Sequence, residues 1–232
     1  MTVDKNPKNI QDMFNKIAKH YDKNNNLISL WTHSFIKSAA LKELNIQENM
    51  SILDLCCGTG DIIKLLFRIN NRLNITGIDF SDNMLEIASK KFKNNKNKPQ
   101  LIKADITDLP LNSNSFDCIT EVFGLRNVQE RKLAIKEIHR LLKADGEFLH
   151  MDFGNKNIFS SMFDIIIPII IKILYGNNLP YKYLINSKKE FPTPENLIKE
   201  FEANGFKLKM KKNYIFGVIS MQIYTISDNS TC

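Results

Sequence analysis

Two carboxylates bracket a pair of glycines in the run Asp54-Leu-Cys-Cys-Gly-Thr-Gly-Asp61. A short apolar segment leads into the run and a helical pattern follows it, so the arrangement reads as a strand, a tight turn and a helix N-terminus. Glycines at 58 and 60 let backbone approach a ligand where a Cβ would collide, and the free N–H groups of a helix start favour a carboxylate or phosphate. A dinucleotide fingerprint needs a third glycine three residues after Gly60, where this chain has Ile63. Asp54 and Asp61 would repel a pyrophosphate. They suit a ligand that carries an ammonium group and a sulfonium, which is the chemistry of S-adenosylmethionine.

The elements that must position such a turn are legible on either side of it. Asn74-Ile-Thr-Gly-Ile-Asp79 reads as a second strand ending in an acid, about 20 residues after the glycines, where a carboxylate can take both ribose hydroxyls. Gln100 to Ala104 reads as a third strand ending at Asp105, and Phe116 to Thr120 as a fourth after the polar turn 112–115. A fifth strand is expected over Glu147 to Phe153, and an antiparallel pair over 206–215 and 218–226. Aspartates at the C-terminal ends of successive strands face the crevice in which open α/β sheets bind ligands. Any one of them alone could be a helix cap or turn residue; their joint placement points to a cofactor site.

Beyond these residues the chain resembles the ubiquinone/menaquinone biosynthesis C-methyltransferases, class I S-adenosylmethionine enzymes of the UbiE/MenG type. The matches are Phe14-Asn15 through Tyr21-Asp22, the glycine run itself, Asp79-Phe-Ser with Met84-Leu85, Leu109-Pro110, and Asn114-Ser-Phe-Asp117. Phe123-Gly-Leu-Arg-Asn-Val128 is the most specific of them. Arg140 to Lys143, Tyr183-Leu184, Phe191-Pro192, Ala203 to Phe206 and Gly217-Val-Ile follow. The resemblance implies an α/β fold: a Rossmann-like, seven-stranded mixed sheet, its last strand antiparallel, flanked by helices. It implies one domain over 1–232, with an N-terminal helical cap over 1–45 and a helical lid insertion over 155–194.

The same resemblance implies a donor site built from Asp54, Gly58, Thr59, Gly60, Asp79, Phe80, Asp105, Ile106 and Val122, with S-adenosylmethionine as cofactor and no metal. It places Arg126 and Asn127 beside the methyl donor as the catalytic pair. Methylating a ring carbon requires an electron-rich ring, which a hydroquinone provides on losing a phenolic proton. Arginine stays protonated at neutral pH, so Arg126 suits a stabiliser of that phenolate, with Asn127 orienting water. Tyr21, Asp22 and His33 are expected to close over the acceptor, a prenylated quinol, while His20, His139 and His150 are assigned to surface or packing. Departures from the pattern fall on the acceptor side. Glu121 stands where the family has a small or apolar residue and is expected near the cofactor or the reacting ring. Gln222-Ile-Tyr224 replaces a His-Arg-Gly pattern, Ile36 replaces a Trp, and the turn Lys143-Ala-Asp-Gly146 replaces Lys-Pro-Gly-Gly.

Composition fits this reading. A chain of 232 residues that is 43% hydrophobic can bury one sizeable core. The net charge of +7 is spread over scattered lysines without a basic arm, so no nucleic-acid partner is expected. Amino-group base methyltransferases carry Asn or Asp followed by Pro-Pro and an aromatic after the fourth strand, whereas this chain reads Thr120-Glu-Val-Phe. Four cysteines without metal spacing, two of them adjacent, suit a reduced cytoplasmic compartment. The run Ile165 to Leu174 is too short to span a bilayer and is interrupted by Pro168 and Lys172. It is read either as a buried helix or as a lid helix that meets a prenyl tail or rests at the inner membrane face. A homodimer is compatible with the family. A methyltransferase acting on a soluble metabolite is the competing reading.

Overall fold

The computed structural model describes residues 5–22, 32–175 and 179–227. Strands β1 (Ser51–Leu55), β2 (Asn74–Asp79), β3 (Gln100–Lys103), β4 (Phe116–Val122), β5 (Leu142–Phe153), β6 (Phe206–Tyr214) and β7 (Ile219–Ile226) form one sheet in the order β3-β2-β1-β4-β5-β7-β6. The β1, β2, β3, β4 and β5 pairings are parallel, while β7 runs antiparallel to both β5 and β6. The expected mixed sheet with an antiparallel last strand is therefore observed. Strand order reverses at β1, whose neighbours are β2 and β4, and the crevice at that switch point is where such sheets hold ligands.

Alternation along the strands sends apolar side chains to both faces. Ile52, Cys118, Leu149 and Met151 pack on one side with Ile62, Ile63 and Leu66 of helix α3 (Asp61–Ile69) and with Ile36, Ala40 and Leu41 of α2 (Thr32–Leu41). Leu53, Leu55, Ile119 and Phe148 pack on the other with Ile135 and Ile138 of α5 (Arg131–Leu141) and with Leu197 and Phe201 of α8 (Pro194–Glu202). Each such side chain, fully buried, contributes about 1.5–3 kcal/mol of transfer free energy. Between these helices in sequence lies α4 (Asp82–Phe92), capped by Ser81, whose hydroxyl accepts from Met84 N at 3.2 Å.

Strand β5 begins five residues earlier than expected. Leu142 pairs with Phe116 and Glu147 with Cys118, so the Lys143-Ala-Asp-Gly146 turn bulges out of a continuous strand. It is pinned there by Lys143 Nζ, 2.7 Å from Asp117 Oδ1. Helix α1 (Pro7–Ile17) precedes the sheet, with Pro7 in its first turn and Asn6 Oδ1 accepting from Lys8 N. Helices α6 (Ile158–Tyr175) and α7 (Leu179–Glu190) fill the connection between β5 and α8. They are tied together by Lys188 Nζ, 2.6 Å from Asp164 Oδ1 and 3.1 Å from the Ser160 carbonyl. Among the described residues no helix is long and apolar enough to cross a membrane.

Candidate active site

The turn after β1 owes its shape to left-handed backbone. Cys56 has φ +55° and Gly58 φ +54°. Cys57 N donates to the Ile78 carbonyl at 2.9 Å and Gly60 N to the Cys57 carbonyl at 2.9 Å, which fixes the turn against β2. A Cβ added at Gly58 would meet nothing within 4 Å, because that side of the residue opens into a cavity of about 250 Å³. The second glycine serves packing: at Gly60, φ +81°, a Cβ would lie 2.6 Å from Phe92 Cε2, so its bareness lets α3 settle against α4.

Of the residues expected at the site, Gly58, Asp79, Phe80, Asp105, Ile106, Val122, Asn127 and Tyr21 line this cavity. Asp79 is buried at the end of β2. Its Oδ2 accepts from Gly58 N at 2.8 Å and its Oδ1 from Ser81 N at 2.9 Å, which leaves each oxygen a further lone pair for hydroxyl donors. Burial pushes this carboxyl up from its ordinary value, opposed by the N–H groups of Ser81 and Gly58. Asp105 turns its Oδ1 toward Thr107 N and Oγ1 at 2.9 and 2.7 Å. Ile78, Met84 and Ala104 complete an apolar floor.

Helix α1 and the turn after it roof the cavity with Phe14 and Tyr21. Phe14 meets both Tyr21 and Phe80 edge-on, with centroids 6.3 Å apart in each pair. Asn15 fastens the roof: its Oδ1 accepts from Ser81 Oγ at 2.6 Å and its carbonyl from Asn83 Nδ2 at 3.0 Å.

Asp54 lies behind the turn, outside the cavity lining. Its Oδ1 accepts from Thr120 Oγ1 at 2.8 Å, and Oδ2 has no hydrogen-bond partner among the described residues. Burial pushes this carboxyl up to about 8, because an ionised, half-satisfied carboxylate is costly in the interior.

The Phe123–Val128 segment closes the other wall. Phe123 sits at φ +63°, and a Cβ on Gly124 would come 2.5 Å from Cys56 Cβ, so only glycine lets this loop pass the glycine turn. Phe123, Gly124, Asn127 and Val128 line the cavity, and Arg126 sits in the same turn just behind that lining. The Arg126 guanidinium is buried, donates from Nη1 to both oxygens of Asp152 at 3.2 Å and to the Phe123 carbonyl, and lies 5.4 Å from the centroid of the Phe153 ring. Burial disfavours its charge, but the Asp152 carboxylate together with Tyr21 and Tyr183 outweighs that and holds it above its ordinary value. Its Nε is buried without a partner among the described residues. Tyr183 of α7 donates its hydroxyl to Asn127 Oδ1 at 3.0 Å. The sequence offered a signal for Asp152, an acid at the C-terminal end of another strand, but none for the role of Tyr183.

Thr59, Asp22, His33 and Glu121 also lie outside the cavity lining. Thr59 donates to Asp22 Oδ1 at 2.5 Å, and Lys91 Nζ sits 3.0 Å from Asp22 Oδ2 and 3.0 Å from Asp61 Oδ1. His33 stands 4.0 Å and Lys37 3.7 Å from Asp61 Oδ2. Asp61 is thus neutralised by protein cations and does not face the cavity, and His33 joins this latch rather than the acceptor space. Burial and the Lys37 charge push the His33 imidazole below its ordinary value. Glu121, expected near the cofactor or the reacting ring, is fully buried under the Phe123–Val128 loop. Its Oε1 accepts from Gly124 N and Leu125 N, and its Oε2 lies 2.6 Å from His150 Nδ1. The carboxylate therefore holds the loop, and His150 is its partner.

Family comparison fits this geometry. The model of the ubiE/COQ5 methyltransferase family matches residues 1–225. The chain belongs to that family. It is 34% identical over 233 aligned positions to the demethylmenaquinone methyltransferase of Staphylococcus aureus (strain MRSA252), a match that covers 97% of this chain and 96% of that one. The protein of the same name from strain JH9 matches to the same extent. Two solved structures share the fold. One is a SAM-dependent methyltransferase from Aquifex aeolicus, with TM-score 0.63, 18% identity and coverage of 82% of this chain and 89% of that one. The other is a putative S-adenosyl-L-methionine-dependent methyltransferase from Methanococcus maripaludis, with TM-score 0.68, 19% identity and coverage of 94% and 95%.

As a ubiE/COQ5 member the chain is an S-adenosylmethionine-dependent methyltransferase, and its own residues fit that cofactor. The bare side of Gly58 faces open space, Asp79 keeps acceptor capacity at the lip, and Asp54 holds a buried oxygen without a partner among the described residues. Among the described residues no group of three or more His, Cys, Asp or Glu is placed to hold a metal.

Proposed function

We propose that this chain methylates a ring carbon of a prenylated quinol, converting demethylmenaquinol to menaquinol. The name of the 34%-identical relatives supplies the ring. The observation that carries the chemistry is Arg126, a buried guanidinium with a spare Nε–H, one residue from the cavity-lining Asn127. S-adenosylmethionine, when bound, supplies a methyl group already activated on a sulfonium.

The remaining work falls to the protein. Asp79, Phe80, Asp105, Ile106 and Val122 would hold the donor, and Asp54, buried behind the glycine turn, would supply negative charge for its ammonium group. Arg126 stabilises the phenolate of the acceptor, a charge-assisted interaction strengthened by the dry surroundings of Phe123 and Phe153. Asn127, oriented by Tyr183, positions the proton-accepting water. Tyr21 and Phe14, which roof the cavity, would keep bulk water from a bound donor.

The lid supports a lipid-soluble acceptor. Ile158, Phe159, Met162, Ile165, Ile166 and Ile169 recur at helical spacing along α6 and are exposed, Ile158 by 72%. Phe216, 77% exposed, stacks on Phe159 with centroids 4.6 Å apart and extends the stripe onto the β6 to β7 turn. An apolar face of this extent suits peripheral contact with the membrane that dissolves the acceptor; a homodimer burying the same stripe is the second use it admits.

Redox state of the acceptor tests the proposal. Demethylmenaquinol kept reduced should be methylated, and the oxidised quinone without reductant should not, because its ring carbon is electron-poor. Equal methylation of both forms would overturn the phenolate mechanism.

A further inference from the structure

Cross-strand register sets one polar row inside the sheet. Glu121 of β4 stands opposite His150 of β5, which stands opposite Gln222 of β7. All three are buried, Glu121 at 0% exposure. Glu121 and Gln222 are two of the positions at which this chain departs from the pattern of the family it resembles, and His150 lies between them.

A carboxylate withdrawn this far from water is tolerated only when its lone pairs are met. Here three donors meet them. His150 Nδ1 approaches Oε2 at 2.6 Å, where a proton on Nδ1 would be donated to the carboxylate. The ring is flanked by Phe191 and Phe201, with centroids 6.2 and 6.0 Å away. Oε1 takes Leu125 N at 2.7 Å together with Gly124 N. These two amides open the 3-10 turn Leu125–Asn127, and no carbonyl of that turn can satisfy them. Glu121 therefore caps the turn from the strand beneath it.

We propose that Glu121, held by His150, is the positioning residue that sets the Arg126–Asn127 turn for methyl transfer. This rests on the reading of Arg126 and Asn127 as the groups that meet the acceptor. The turn then has three anchors: Glu121 at its start, Asp152 on Arg126, and Tyr183 on Asn127. Glu121 touches neither ligand and acts through the backbone of Gly124 and Leu125. A displacement of about 1 Å at a reacting centre can cost on the order of 100-fold in rate, so the anchor governs turnover while leaving the donor side, built on β1 and β2, in place.

Three arms test this on the full-length protein. Glu121→Met keeps length and loses both acceptors; it should lower kcat on demethylmenaquinol by roughly 10-fold to 100-fold and leave the calorimetric Kd for S-adenosylmethionine within about twofold. Glu121→Gln retains an acceptor for the two amides and should recover most of the lost kcat. Hydrogen exchange in the unmodified protein should show the Gly124 and Leu125 amides protected like those of β4. Unchanged kcat in Glu121→Met, equal losses in the Met and Gln variants, a parallel loss of donor affinity, or unprotected amides in the unmodified protein would each overturn the proposal. Should Glu121→Met fail to fold, Glu121→Gln and the exchange measurement still decide. Failure of the quinol reading would show separately, as absent turnover in the unmodified protein, with the amide protection intact.

Discussion

The Gly58 amide donates to Asp79 Oδ2 at 2.8 Å, so the acid at the end of β2 and the glycine turn after β1 are one unit. Donor binding and turn geometry are coupled through that bond. Asp79→Ala should weaken S-adenosylmethionine binding by about 10-fold to 200-fold, since a hydrogen bond to a charged group contributes about 1.5–3 kcal/mol. Titration calorimetry reads this directly, and unchanged affinity would remove Asp79 from the ribose.

Asp54 gives donor binding a pH signature. Burial holds its carboxyl up at about 8 without ligand, so it is protonated at pH 7. A bound ammonium group favours the ionised form, and binding below pH 8 must then expel a proton. Affinity should rise between about pH 6 and 8 and level off above. Folding stability without ligand runs the other way: the raised carboxyl binds its proton more tightly than in the unfolded chain, and that contribution is lost as pH rises through 8. Calorimetry at pH 7 in buffers of different ionisation enthalpy should report close to one proton released, and Asp54→Asn should abolish it. Proton release that persists in Asp54→Asn would assign it elsewhere.

Arg126 and Asp152 form a buried pair whose two members carry different consequences. Arg126→Lys keeps a charge but loses the planar fork, so quinol turnover should drop while donor affinity holds. Asp152→Ala leaves the guanidinium without its counter-charge and should destabilise the protein by about 3–5 kcal/mol, read as a lowered denaturant midpoint. Equal turnover in Arg126→Lys would remove the guanidinium from the chemistry.

Much of this architecture was readable from the chain because it depends on local pattern. Ser51 to Leu55 and Asn74 to Asp79 are short apolar runs bounded by turns, and each became a strand with its acid at the C-terminal end. What stayed hidden depends on register between distant segments. Glu121 reads as a charge beside the glycine turn until β4 and β5 are paired, when it finds His150, 29 residues away. Gly60 reads as a ligand-facing glycine until α3 meets Phe92 of α4. The early start of β5 is not legible locally because Lys143 to Gly146 has turn composition, and the strand continues across it only through the pairing of Leu142 with Phe116 and the Lys143 to Asp117 ion pair.

The exposed α6 stripe should matter only to a membrane-borne acceptor. Ile165→Asp and Phe216→Asp, both at exposed positions, should leave folding and donor affinity intact and should weaken flotation with anionic vesicles. Turnover on an acceptor without isoprene units should be largely unaffected, while that on acceptors with one or two units should fall. Vesicle binding equal to that of the unmodified protein, together with a dimer that dissociates in the variants, would assign the stripe to self-association.

Methylation of a quinol ring carbon is tested most directly by its product. Incubating the enzyme with S-adenosylmethionine carrying a deuterated methyl group and reduced demethylmenaquinol should yield menaquinol heavier by one labelled methyl, with the label on the ring carbon by NMR. A label on oxygen, or labelling of a soluble metabolite in place of the quinol, would rule out C-methylation of the quinol ring.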